Sequence, residues 1–597
     1  MERVDGYAPI RDYGVIGDGR TCALVACDGA IDWLCLPNID SPSMFARLVD
    51  VERGGACTLA PTERFESQQR YLEGTNVLET TFRTSSGSVR VTDAMTLTDV
   101  ASLAPLREVV RKVEGLSGRV EMRWEVAPRF LYGRHEAKLG RRSGRPFFSL
   151  GKDGLAVSAW NAGEVEFRDG AVGSSFPLET GESALLSLAG TFKEPAVLPG
   201  RSDTERRLER TTRFWQAWGA RAQYEGRWRD EVVRSALLLK MLVFAPSGAI
   251  VAAPTTSLPE WYGGERNWDY RYSWVRDASW TLDALLRLGY HDETTSFFWW
   301  IMHASRITQP RLQILYRVDG GAEAAESTLG GFSGYRDSPP VRVGNGAADQ
   351  VQLDVYGSLF DAAWLYVESG SEIDRSTGKE LGRIADYVAD HWRDKDSGIW
   401  EVRSEPTHFT QSKALTWVAL DRACKLAERG VLPDRRKRWS TEADEIRAFV
   451  EDNGWSEQLR SYVRAPDQPE LDGSLLTMVL LGYPPRSPER LDLLVDAVRR
   501  ELAEGPLVYR YRGADGVTGH EGAFLTCSFW LADALARLGR VDEAVELMSS
   551  LLALANHVGL FSEEMDPASR DYLGNYPQGL SHLALVNAAV SIEDASR

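Results

Sequence analysis

Two architectures follow one another in this sequence of 597 residues: an antiparallel β-sandwich over residues 1–201 and an (α/α)6 toroid over residues 228–597, joined by a linker helix at 202–227. Three observations predict this multidomain α+β chain. Apolar and polar residues alternate with a period of two in the first third, the period becomes 3.6 after residue 228, and the helical segments there number about twelve, set in short-loop pairs. A content of 43% hydrophobic and 26% charged residues is that of a folded protein, which excludes a disordered or fibrous chain.

The sandwich is read from its hairpins. Leu78-Glu-Thr-Thr-Phe82-Arg and Val89-Arg-Val91-Thr alternate on either side of a Ser85-Ser-Gly87 turn, and Met122-Arg-Trp124-Glu-Val126 repeats the pattern. Further short runs with Gly or Asn-Ala-Gly punctuation fill 146–189. The text then turns to charged helix, Glu-Arg-Arg-Leu-Glu-Arg, free of Pro and Gly until Gly219.

In the toroid, Val232, Ala236, Leu239 and Val243 share one helical face, as do Phe524, Cys527, Leu531, Leu535 and Leu538 before Gly539. Ser487-Pro488 reads as an N-cap followed by a first-turn proline, and 541–553 as an amphipathic helix after a two-residue connection. Six helix pairs gather their longer, aromatic and Gly-rich loops at one end. The segment 319–349 is too long for a mere connector and is expected to overhang that end. No repeat of 34 or 40 residues points to a solenoid.

Composition narrows the partners. The net charge of −17, with no basic stripe, argues against nucleic acid. The most apolar stretch, 236–254, is interrupted by Lys240, Pro246 and Gly248, so no span of roughly 20 residues can cross a bilayer. The opening residues lack a basic start and an apolar core of about seven residues, and a cytoplasmic location is expected. The six cysteines are expected to be reduced and mostly buried; the spacings of the first four, 5, 8 and 22, fit no common zinc pattern. The nineteen tryptophans serve mainly as core, though flat indole faces also suit sugar rings.

There is no GxxxxGK, GxSxG or HExxH, and the eight histidines show no metal-ligand spacing. Carboxylates, arginines and tryptophans remain, in three clusters. In Arg266-Asn-Trp-Asp-Tyr270-Arg-Tyr-Ser-Trp274-Val-Arg276-Asp277, Asp277 can cap the following helix; alternatively Arg276 and Asp277 bond sugar hydroxyls while Trp274 covers the apolar face. In Ser397-Gly-Ile-Trp400-Glu401-Val-Arg403, a glutamate against Trp400 is desolvated, which favours a protonated general acid; a surface or capping glutamate fits as well. Phe561-Ser-Glu563-Glu564-Met-Asp566 places vicinal acids in a loop, either solvated or catalytic. Two acids on separate loops are what glycoside hydrolysis requires. A gap of about 6.5–9.5 Å between them gives inversion and about 5–5.5 Å retention.

These clusters, in this order, resemble glycoside hydrolase family 15, the glucoamylases and bacterial trehalase-like enzymes. Gly29-Ala-Ile-Asp-Trp33-Leu-Cys-Leu-Pro37-Asn-Ile-Asp-Ser-Pro42 resembles the N-terminal domain of the trehalase-like branch, so the resemblance covers nearly the whole chain. It implies a six-hairpin glycosidase architecture in which Glu401 is the general acid and Glu563 the general base. It further implies that Arg276 and Asp277 grip the non-reducing glucose, that Tyr270 helps position water, and that Arg510 in Tyr509-Arg510-Tyr511 binds sugar. Trp274 and Trp400 are the tryptophans expected at the sugar. Glu564 stands where glucoamylases commonly have Gln, and His582 where they have Trp; both variants resemble the trehalase-like branch.

The function expected is exo-acting, inverting hydrolysis of trehalose or a short α-glucan, with a small α-glucoside as partner. An inverting disaccharide phosphorylase and a non-catalytic α-glucan-binding protein are the alternatives; a carboxylate at Glu563 favours hydrolysis over phosphorolysis. No redox cofactor or metal is called for. The resemblance admits dependence on phosphate or magnesium, for which the sequence shows no site.

Overall fold

The computed structural model describes residues 2–97, 106–513, 515–517 and 519–597. Its first part is two antiparallel layers built around one strand of 21 residues, Arg107–Ala127. The first half of that strand pairs with Gly87–Met95 and Ser183–Phe192, and the second half with Ala56–Pro61 and Ala171–Glu179. It crosses between layers through Leu116, Ser117, Gly118 and Arg119, which are exposed, with Gly118 at φ +67°. That left-handed conformation suits glycine, which lacks the Cβ that makes it costly for other residues.

The expected hairpin forms between Leu78–Thr84 and Gly87–Met95. Other strands carry no alternation. Tyr13–Gly17, Cys22–Ala26 and Ile31–Cys35 are buried at every position, because the helix Arg229–Leu242 packs against the first of them. A strand covered on both faces reads as a continuous apolar run.

The linker helix spans Arg201–Gly219. After it, twelve helices among the described residues make two concentric rings. The inner ring is Ala278–Arg287, Asp354–Glu368, Thr410–Glu428, Thr477–Leu480, Leu525–Arg537 and Gly579–Ala595; each packs on the next, and the last closes on the first. The outer ring is Arg229–Leu242, His291–Ser305, Arg375–His391, Arg436–Asn453, Glu489–Leu502 and Val541–Leu552. Burial separates the rings: 525–536 is buried throughout, whereas Val541–Leu552 buries only Ala544, Met548 and Leu551. Short connections such as 538–540 lie at one end, where Gly539 at φ +78° ends its helix. The long connections 243–277, 306–353, 392–409, 454–472, 503–524 and 553–578 all lead into inner helices at the other end.

Two helix boundaries differ from those expected. Val243 belongs to a two-residue strand paired with Ala249–Ile250, because the helix before it ends at Leu242. Pro488 itself takes the N-cap position and Glu489 is the first helical residue, so Ser487 lies one residue outside. Of the six free cysteines, Cys22, Cys35, Cys57 and Cys527 are buried, while Cys27 and Cys424 are partly exposed. No helix among the described residues is long and apolar enough to cross a membrane.

The two halves are joined by specific bonds. Trp33 Nε1 donates to the Pro254 carbonyl at 2.8 Å, and Arg271 Nη1 to that of Ser41 at 2.8 Å. Tyr335, in the long segment 306–353, donates its hydroxyl to the Ala8 carbonyl at 3.0 Å, and Tyr7 to that of Gly334 at 3.0 Å. The sequence segment 29–42 therefore buttresses the loop that carries 266–277.

Candidate active site

A cavity opens among the long loops, lined by aromatic side chains and convergent polar groups as small-molecule sites are. Its walls come from four of them: Trp268 and Tyr270; Asn345 and Gln350; Trp400, Glu401 and Arg403; and Arg510, Tyr511 and Asp515. The segment 319–349 reaches this wall through Asn345 and Ala347.

Glu401 sits at φ +57°, a left-handed conformation that costs a non-glycine residue roughly 1–2 kcal/mol. Surrounding bonds over-determine it. Gln350 Nε2 donates to the Glu401 carbonyl at 3.3 Å, Gln352 Nε2 to that of Gly398 at 2.7 Å, and Trp400 Nε1 to Asp472 at 2.8 Å. The carboxylate accepts from Trp274 Nε1 at 2.7 Å and lies 3.3 Å from Arg276 Nη1. Burial raises its pKa, while Arg276 and the Trp274 N–H hold the rise back.

The tryptophans thus exchange the parts expected of them. Trp274 is 1% exposed and off the cavity wall; it meets Glu401 with its N–H, edge-to-face with Tyr270 at 5.2 Å, and cannot cover a sugar. Trp400 is on the wall, packed edge-on against Phe524. Asp277 stands at the N-cap of Ala278–Arg287 but makes no capping bond; its carboxylate accepts from Arg276 Nε at 2.7 Å instead.

Glu563 is fully buried. One carboxylate oxygen, Oε2, accepts the Asn575 N–H at 3.0 Å, and the Glu563 N–H returns a bond to the Asn575 carbonyl at 3.1 Å. The other oxygen, Oε1, has no protein partner. Burial, then the neighbouring charge of Glu260, push its pKa up to about 8; Arg510, the Tyr270 hydroxyl and the Asn575 N–H pull the other way. Tyr270, on the cavity wall, has its pKa raised by burial and then by the neighbouring charges of Glu563, Glu260 and Glu401.

His582 explains why this loop holds its shape. It is fully buried, its Nε2 accepts the Phe561 N–H at 3.1 Å and its Nδ1 meets Ser235 Oγ at 2.9 Å. Burial lowers its pKa to about 3, so it is a neutral acceptor for the N–H of Phe561, two residues before Glu563.

Arg510 lines the cavity, yet its Nη2 donates to Glu260 and Glu521, both at 2.7 Å, and is 3.1 Å from Glu564. Both hydrogens of that nitrogen are therefore taken by carboxylates. Glu260, Glu521 and Glu564 bring one oxygen each within 4.8 Å of the others, but the guanidinium occupies the centre, so the donor set does not fit a cation. Trp268 was not singled out in the sequence. Its ring lies between the guanidinium groups of Arg342 and Arg403, at 4.6 and 4.5 Å, and its Nε1 donates to Glu260 at 2.9 Å.

Comparison with known proteins gives the family. The model of the family described as "Glycosyl hydrolases family 15" matches residues 226–590, and "Trehalase-like, N-terminal" matches 5–154. The chain is 35% identical to the trehalase of Thermoplasma volcanium over 99% of its own length and 95% of the relative's. It is 36% identical to the trehalase of Mycobacterium tuberculosis, covering 98% and 90% respectively. A bacterial glucoamylase solved in complex with acarbose shares the fold, at TM-score 0.72 and 13% identity, over 99% of this chain and 95% of that one. With a cavity walled by the loops of a six-pair helical ring and relatives that span its length, this chain belongs to glycosyl hydrolases family 15 and is a glycoside hydrolase.

Proposed function

We propose that the enzyme releases glucose from the end of trehalose or a short α-glucan with inversion, trehalose being the substrate its full-length relatives' names favour. The observation that carries this reading is the pair of glutamates on separate loops, Glu401 on the cavity wall and Glu563 buried. Glu401, whose pKa burial raises, gives its proton to the glycosidic oxygen as the bond to the anomeric carbon breaks. Water attacks that carbon from the opposite face, and the unpartnered oxygen of Glu563 takes the water's proton. Arg276 and Asp277 bind the glucose held in the pocket, Trp400 and Arg510 border it, and Trp274 positions Glu401 rather than covering the sugar.

The same reading divides the chain at 1–201, 202–227 and 228–597, with the sheets completing the rim through Tyr7 and Ala8. It needs no metal, redox group or phosphate. Proton NMR of fresh digests tests it. β-Glucose should appear first from maltose, and α- and β-glucose in equal amounts from trehalose, at a rate unaffected by phosphate or chelator. Only α-glucose from either sugar would overturn inversion, and phosphate-dependent glucose 1-phosphate would make the enzyme a phosphorylase.

A further inference from the structure

Beside the proposed base lies a concentration of acid that the reaction does not use. Glu260, Glu521, Glu563 and Glu564 are buried or nearly so, and Arg510 is the cation common to them. The second guanidinium, Arg266, is committed to Asp515 by two bonds of 2.6 and 2.8 Å and lies only 3.5 Å from Glu521. Five carboxylates thus face two guanidinium groups at largely buried positions beside the cavity. Such a group cannot ionise fully, because each uncompensated buried charge is far costlier than the proton that removes it.

The hydrogen bonds show which acids have room for a proton. Both oxygens of Glu260 accept, one from Trp268 Nε1 and one from Arg510 Nη2. Glu563 has one oxygen on the Asn575 N–H and the other open toward its proposed task. Glu521 gives Oε2 to Arg510, and Glu564 gives Oε2 to the Gly522 N–H at 2.8 Å. In each, Oε1 accepts no hydrogen bond, although Glu564 Oε1 lies 3.1 Å from Arg510 Nη2, and Glu521 and Glu564 have oxygens within 4.8 Å of each other.

We propose that Glu521 and Glu564 hold a single proton between them beside Arg510, and that this resident proton lets Glu563 stand ionised next to them. Glu564 is then a positioning residue acting through Glu563. This inference rests on Glu563 being the base. It also explains the departure at position 564: a protonated Glu presents the same shape as the Gln found there in glucoamylase-like sequences.

The test is the acidic limb of kcat/KM against pH, on which Glu563 must lose its proton. Replacing either acid by Gln removes one carboxyl and its half-share of the proton, leaving the charge beside Glu563 the same. Glu521→Gln and Glu564→Gln should each leave the limb where it is, while the double variant should move it to lower pH by about one unit or more. Single substitutions that each move the limb and add in the double would mean both acids are ionised. No movement in the double would mean each carries its own proton. Either result overturns the proposal. Infrared difference spectra give a second reading: the protonated carboxyl band of this pair at neutral pH should be lost in each single substitution, whereas a band that survives each single and is lost only in the double would mean each acid carries its own proton and would overturn the proposal. If Glu563→Gln retained turnover, the assignment of the base would fail instead, whatever the limb did.

Discussion

The loops that carry the two glutamates proposed as acid and base are built on opposite plans. Glu401 is on the cavity wall, in a strained backbone conformation, and is held by side chains: Trp274 and Arg276 on its carboxylate, Gln350 and Gln352 on the loop's carbonyls. Glu563 is away from the wall and is held by backbone, paired with Asn575 and followed by Glu564–Met565, the middle strand between Ala523–Phe524 and Tyr572–Leu573. Side chains can be changed one at a time, so the acid's environment is adjustable. The base is fixed by the path of the chain.

Substitutions can break this contrast. The largest effect belongs to the acids themselves: Glu401→Gln and Glu563→Gln should each lower kcat by about 10²–10⁴-fold in steady-state assays. Next comes Gly574→Ala. Gly574 is at φ +67°, and a Cβ there would lie 2.4 Å from Glu563 Oε2. Strain of about 1–3 kcal/mol should appear as a lower Tm, and the displaced carboxylate should cost up to about 100-fold in kcat. An equally active, equally stable Gly574→Ala would show that the base is not held by its backbone.

Trp274→Phe tests the acid side more gently. The N–H stabilises the ionised form of Glu401, so its loss raises the pKa. The basic limb of the pH profile, on which Glu401 loses its proton, should move up by about one unit with folding intact. A downward move would contradict the assignment.

The smallest effect is thermodynamic. Glu563 has a folded pKa of about 8, above the usual value of 4.5, so the folded state binds the extra proton between those limits and loses stability as pH rises through them. Glu563→Gln removes that loss. Its Tm should exceed the parent's by a margin that widens from about pH 5 to pH 9 in calorimetry.

Elements with one exposed face were legible in the sequence. Near their turn, 81–84 and 88–91 alternate because one face there meets water, and the helix Val541–Leu552 has its apolar stripe for the same reason. The strands at 13–35 were not, since burial on both faces erases the period. Motifs singled out Glu401, Glu563 and Arg276, but not which indole faces Glu401 and which lines the cavity. Whether a tryptophan offers its face or its N–H depends on what stands opposite, and Glu401 is 127 residues from Trp274. Glu260, Glu521 and Trp268 left no signal for a related reason. Glu260 and Glu521 meet at Arg510, 250 residues from Glu260, and Trp268 joins them through Glu260; no local spacing encodes such a meeting.

The bonds from Trp33 to Pro254, from Arg271 to Ser41 and from Tyr335 to Ala8 bear on ancestry. A ring of helices that borrows its loop supports from an upstream sheet cannot exchange that sheet freely with another lineage. A recombinant joined in the linker helix would inherit a cavity whose struts were cut to a different length. The two segments should therefore descend together, as one heritable unit.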